Sequence, residues 1–143
     1  MKSSRSFFSI IIPTYRRPGR LAVCLQSLAG LDYPRERFEV IVVDDGSPAP
    51  PKAVVADFHE NVDVMLLTQA HAGPATARNI GAAQARGEIL AFTDDDCEPA
   101  ADWLRTLAKR FATMPDCAVG GRTLNKLSNN PFSTASQLLI DYL

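Results

Sequence analysis

The sequence predicts an open α/β fold, a mostly parallel sheet with helices on both faces. Three observations predict it. Four short apolar runs alternate with helical patterns along the chain. Most of the runs show no polar alternation, as strands buried on both faces do. A polar cluster follows each run, which places four clusters along one edge of such a sheet.

The first run is "FFSIII" (7–12). Leu21, Cys24, Leu25 and Leu28 then follow at i, i+3, i+4 and i+7, with Pro18 suited to a first turn and Gly30 to a stop. The second run, "FEVIVV" (38–43), is followed by "SPAPP" (47–51), the only linker-like stretch. "VDVMLL" (62–67) is the third strand, and the Ala-rich segment from Pro74 to Arg86 is a helix closing at Gly87. Its small residues Ala75, Ala77, Gly81, Ala82 and Ala83 predict close packing on the sheet. "EILAF" (88–92) is the fourth strand, and Leu104, Leu107, Ala108 and Phe111 form an apolar stripe opened by Pro99. A fifth strand is expected over "CAVGGRT" (117–123). No internal repeat or low-complexity segment interrupts the pattern.

At 143 residues this is one domain, with enough chain to bury a core. With 46% hydrophobic and 22% charged residues and a net charge of -1, it is expected to be soluble, with neither nucleic acid nor an anionic membrane as main partner. Cys24, Cys97 and Cys117 are odd in number and form no CxxC pair. They read as reduced thiols of a cytoplasmic protein, not as a disulfide framework or zinc site. Pro13 interrupts the first apolar run before any signal-type cleavage site. No stretch reaches the roughly 18 to 20 apolar residues of a membrane span.

The four clusters are "PTYRRPGR", "DDGSPAP", "TQAHAGPATARN" and "TDDDCEP". Asp44 and Asp45 end the second strand ahead of Gly46 and Ser47. A turn with a capping Asp explains them, and so does a carboxylate that accepts from a base N–H or a ribose hydroxyl. Gly73 and Pro74 open a helix whose free N–H groups would face the same edge, and Arg78 adds a positive charge one turn in. An ordinary helix start with a solvated Arg is the plainer account. Arg16 and Arg17 would approach a phosphate or simply be solvated. His71 reads as a surface loop residue, Trp103 and Phe111 as core, and Asp102 as an exposed position a turn inside the last helix.

Asp94, Asp95 and Asp96 stand side by side at the end of a buried run. Adjacent like charges repel by about 1 kcal/mol per pair even in water, so three carboxylates together need a reason. A helix cap before Pro99 is one, but three acids exceed what a cap needs. A hard cation, Mg²⁺ or Mn²⁺, is the other, because such ions take carboxylate, phosphate and water oxygens. On an extended segment Asp94 and Asp96 share a side and Asp95 turns away. Cys97 is a poor ligand for these ions and reads as packing.

Together "SIIIPTYRRPGRL", "EVIVVDDGS", "GPATARNIGAAQARGEILAFTDDDCEP" and the following "DWL" resemble family 2 glycosyltransferases of the GT-A fold, over about residues 8 to 123. Each piece alone is unspecific, and the ordered combination is highly specific. The resemblance implies inverting transfer of a sugar from a nucleotide-diphosphate donor, often UDP-linked, with a divalent metal. It puts Pro13 and Tyr15, with Thr14 between them, beside the nucleoside. It matches Asp45, next to Asp44, to the acid that contacts the base. Arg78 matches a basic residue near base and diphosphate, with Gly73 and Arg17 at the same site. Asp94, Asp95 and Asp96 match the metal motif, with Asp94 and Asp96 as ligands and Asp96 the direct one. The triplet departs from the commoner DxDD form.

Inversion needs a general base to take the acceptor's proton. In the family that residue comes from an acceptor-binding half, expected where this chain ends at "STASQLLIDYL", and Asp141 is not a match for it. The expectation is one donor-binding domain over residues 1–143, binding donor with little or no transfer. Relatives that work on lipid-linked acceptors make peripheral attachment at an inner membrane face compatible with the full protein. A sugar nucleotidyltransferase would carry a Gly-rich "GxGxRL"-like loop where this chain has "PTYRRPG". A receiver domain would place its acids after strand one. A non-catalytic nucleotide-sugar-binding module remains an alternative.

Overall fold

A computed structural model of the chain describes residues 6–124, 126, 129 and 130. Four parallel strands form its sheet: β1 (Phe8–Thr14), β2 (Phe38–Asp44), β3 (Val64–Thr68) and β4 (Ile89–Phe92), in spatial order β3-β2-β1-β4. Four α-helices join and flank them: α1 (Pro18–Ala29), α2 (Lys52–Ala56), α3 (Pro74–Gln84) and α4 (Trp103–Thr113). β1 and β2 are central, and every one of their residues is buried, which is why their sequences lack alternation.

The chain moves outward from β1 to β3 and then returns past β1 to β4. Right-handed crossovers in opposite directions put their helices on opposite faces of a sheet. Ile10, Ile12, Val40 and Val42 accordingly share one core with Leu21, Cys24, Leu25 and Leu28 of α1 and Leu104 of α4. Ile11, Ile41 and Val43 share the other with Ala77 of α3. Close approach of α3 depends on Gly81, because a Cβ there would stand 2.6 Å from Ile11 Cγ2.

At the N-terminal ends of the strands, the buried Glu39 carboxylate accepts from Ser9 Oγ (2.6 Å), Arg86 N (2.8 Å) and Arg86 Nε (2.7 Å). Burial alone pushes its pKa up, but these bonds and the Arg86 charge bring it below its ordinary value. The clasp ties the end of α3 to β1 and β2. It leaves the opposite, C-terminal ends open.

Three expectations change. No fifth strand forms over 117–123, whose residues are largely exposed, and β4 ends the sheet among the described residues. Gly120 and Gly121 bring no side chain to bury, so an apolar reading of that stretch had little behind it. Asp102 is the residue before α4, not one inside it. The triplet lies in a turn rather than an extended segment, because the Cys97 N–H donates to the Asp94 carbonyl oxygen at 3.1 Å. Asp141 lies outside the described residues.

Candidate functional site

The order of the sheet reverses at β1, with β2 on one side and β4 on the other. The C-terminal ends of β1 and β4 therefore border the crevice where open α/β sheets bind ligands. A cavity of about 300 Å³ lies there. Pro13, Thr14 and Tyr15 line it from the end of β1, with Arg17 just beyond, and Asp45 lines it from the end of β2. His71, Pro74 and Arg78 come from the start of α3 and the loop before it, and Asp94, Asp95 and Asp96 from the exit of β4.

The turn at 94–97 divides the three acids. Asp95 is buried and its Oδ2 accepts from Thr14 Oγ1 at 2.8 Å, while Arg17 Nη1 stands 3.3 Å from its Oδ1. Burial raises the Asp95 pKa, the Thr14 bond and the Arg17 charge oppose this, and Asp96 and Asp94 add to it, leaving it above the ordinary value. Asp94 and Asp96 are about half exposed, at 53% and 44%. Arg78 Nη2 meets Asp94 Oδ1 at 2.6 Å, and Arg17 Nη1 lies 3.6 Å from Asp96 Oδ2. Two cations thus converge on three carboxylates at the cavity wall. The helix that follows begins only at Trp103, so the acids cap nothing.

Cys24 lies beneath this turn and its Sγ is 3.6 Å from the Asp94 carbonyl oxygen. Burial, then the nearby Cys97, Asp95, Asp96 and Asp94, push its thiol up to about 12, so it is no nucleophile. All three cysteines are free thiols.

Asp45 is buried and fully engaged. Its Oδ1 accepts from Gln69 Nε2 (2.7 Å) and Ala72 N (2.7 Å), its Oδ2 accepts from Gly73 N (3.0 Å), and His71 Nδ1 stands 3.0 Å from Oδ2. Burial works to raise its pKa, yet the bonds from Ala72, Gln69 and Gly73 and the nearby His71 outweigh that and lower it. The expectation of a free Gly73 N–H at the helix start is therefore corrected: Asp45 takes it. Gly73 does not line the cavity, and neither does Asp44. Asp44 is turned into the fold, where its Oδ2 accepts from Ser47 N (3.0 Å) while its Oδ1 has no partner. Gly46 has φ +81°, and a Cβ on it would stand 2.7 Å from His71 N, so the two loops touch backbone to backbone.

Two lining residues were not expected. His71 stacks on Tyr15, with ring centroids 4.5 Å apart and planes 30° from parallel, and Pro74 also lines the cavity. The signal for His71 was only its place on the ligand edge of the sheet, because its partners Tyr15 and Asp45 are far away in the chain.

The family model for glycosyl transferase family 2 matches residues 9–142. The chain belongs to glycosyltransferase family 2. It is 37% identical over 124 residues to the glycosyltransferase AglE of Haloferax volcanii, covering 85% of this chain and 40% of that protein. It is 38% identical over 91 residues to the poly(ribitol-phosphate) beta-N-acetylglucosaminyltransferase TarS of Staphylococcus aureus, covering 62% of this chain and 16% of that one. A crystal structure of TarS 1–349 in complex with UDP-GlcNAc superposes with a TM-score of 0.71 at 27% identity, covering 81% and 37% of the two chains. The mannosyltransferase PcManGT of Pyrobaculum calidifontis, solved with GDP-Man and Mn²⁺, gives a TM-score of 0.69 at 32% identity over 82% and 35%. The fold is GT-A, and the chain spans less than half the length of these relatives.

Among the described residues no three His, Cys, Asp or Glu side chains form a group arranged to hold a metal ion. The donor chemistry nevertheless suits a hard divalent cation. Such an ion needs only one or two carboxylates from the protein when phosphate and water complete its shell. Asp94 and Asp96 offer two on the cavity wall. No helix among the described residues is long and apolar enough to cross a membrane.

Proposed function

We propose that this chain binds the nucleotide-diphosphate sugar donor, UDP-linked in the first instance, of an inverting glycosyl transfer. The observation that carries the reading is the cavity at the β1/β4 switch point, which combines an aromatic pair with two arginines and an acidic turn. The neighbours solved with UDP-GlcNAc and GDP-Man support it. Residues 8–123 act as the donor-binding unit, and the acceptor is bound by other parts of the full protein.

Tyr15 and His71 form the nucleoside end of the site, and Thr14 belongs to the same wall. Arg78 and Arg17 stand at the diphosphate end, where Asp94 and Asp96, their exposed carboxylate partners, are exchangeable for phosphate oxygens. Asp94 and Asp96 hold Mn²⁺ or Mg²⁺. A bound divalent ion supplies Lewis-acid stabilisation of the charge that develops on the leaving diphosphate. Asp95, fixed by Thr14, holds the acidic turn against β1, and Asp44 and Gly73 shape the loops from behind without touching donor.

Saturation-transfer NMR with UDP-GlcNAc and GDP-mannose, each with the diamagnetic Mg²⁺, tests the proposal. Transfer to the nucleoside and anomeric protons of at least one donor, weakened by Arg78→Ala, is expected. No transfer from either donor would overturn it.

A further inference from the structure

We propose that Arg78 and Arg17 close the acidic turn to a metal ion until a diphosphate draws them away, so that metal and nucleotide enter the site together. The inference rests on the donor reading above and names a control built into that same site. Asp94, Asp95 and Asp96 are consecutive, yet among the described residues no three such side chains are arranged to hold an ion. The contacts of each acid give the reason. Asp95 is buried, and its Oδ2 is held by Thr14 Oγ1 at 2.8 Å. Asp94 Oδ1 meets Arg78 Nη2 at 2.6 Å. Asp96 Oδ2 lies 3.6 Å from Arg17 Nη1, which also stands 3.3 Å from Asp95 Oδ1.

A cation arriving from the cavity therefore meets carboxylates that already face positive charge. Asp94 has lone pairs to spare. An ion bound there with Arg78 in place would nevertheless sit beside a guanidinium, and the two cations repel. Arg78 reaches the turn from α3, and Arg17 from the residue before α1. Exposed pairs of this kind contribute little to stability, so little is lost when they are given up. A diphosphate offers both guanidiniums charge-assisted phosphate oxygens and offers the ion oxygen ligands as well. The exchange frees Asp94 and Asp96 for the ion. By linkage, nucleotide and ion then each raise the other's affinity by the same factor.

Mn²⁺ alone, titrated into the 143-residue chain and followed by the loss of its free-ion EPR signal, tests this. Low ionic strength keeps the exposed charges least screened. Arg78→Ala should bind Mn²⁺ about fivefold more tightly than the parent, the scale of one exposed charge pair removed. Adding Asp94→Asn should cancel that gain. Arg20→Ala, at an exposed position of α1 that does not line the cavity, removes the same net charge and should leave Mn²⁺ affinity unchanged. With Mn²⁺ in excess, Arg78→Ala should weaken UDP binding. Opposite shifts for the two ligands are what a merely structural role would not produce. Mn²⁺ affinity in Arg78→Ala that is equal to or below the parent's would overturn the inference. So would an equal gain in Arg20→Ala, or a gain that survives Asp94→Asn. A parent that binds neither UDP nor GDP in excess Mn²⁺ would instead overturn the donor reading on which this rests.

Discussion

Arg78 and Asp94 form an ion pair whose members are 35% and 53% exposed, and Gly46 sits in a backbone conformation that favours glycine. The two residues predict opposite kinds of failure. Exposed pairs contribute at most about 1 kcal/mol, so Arg78→Ala should unfold in urea within that margin of the parent. Its UDP affinity should nonetheless fall about tenfold or more, since a charge-assisted phosphate contact is lost. Gly46→Ala should lose about 1–3 kcal/mol from backbone strain and the clash with His71 N, and a urea titration reads it directly. If Gly46→Ala is as stable as the parent, the two loops do not touch as described.

Among the elements, the strands were legible because β1 and β2 are buried on both faces and their runs are apolar apart from Ser9 and Glu39. Helix α1 showed its face through Leu21, Cys24, Leu25 and Leu28, all fully buried. Helix α3 was legible in its small residues, and Gly81 explains them. An interior helical Gly costs about 1 kcal/mol relative to Ala, so Gly81→Ala would stabilise a free helix. Here it should destabilise the protein by about 1–3 kcal/mol in chemical denaturation, because Ile11 occupies the space. A gain in stability would mean that α3 does not approach the sheet this closely. The stretch 117–123 misled because a few apolar residues imitate a strand, although Gly120 and Gly121 among them bring no side chain to bury. The site was legible as four clusters on one edge, but its wiring was not. Thr14 to Asp95 spans 81 positions and Gln69 to Asp45 spans 24, and no local pattern encodes such pairings. Asp44 and Gly73, expected at the site, do not line the cavity, whereas His71, read as a surface loop residue, does.

At the scale of the whole molecule, both ends of the sheet are held by carboxylates. Glu39 clasps the N-terminal end and Asp45 the ligand loop, and both have pKa values below ordinary. A lowered folded-state pKa gives stability that is complete above the unfolded value, roughly 4 for these groups, and that drains as pH falls through the folded value. Asp95, shifted the other way, is relieved on protonation and partly offsets the loss. Denaturation midpoints measured from pH 6 to pH 2.5 should therefore fall below about pH 4, and Glu39→Gln should flatten that fall. A Glu39→Gln curve parallel to the parent's would remove the clasp from the account. The central claim is that the crevice between β1 and β4 takes a nucleoside diphosphate together with a divalent cation. Calorimetric titration of UDP into the chain with Mn²⁺, with EDTA, and with Asp96→Ala tests it most directly. The account predicts binding that requires Mn²⁺ and is lost in the variant. Equal binding of UDP in Mn²⁺ and in EDTA, or none in either, would contradict it.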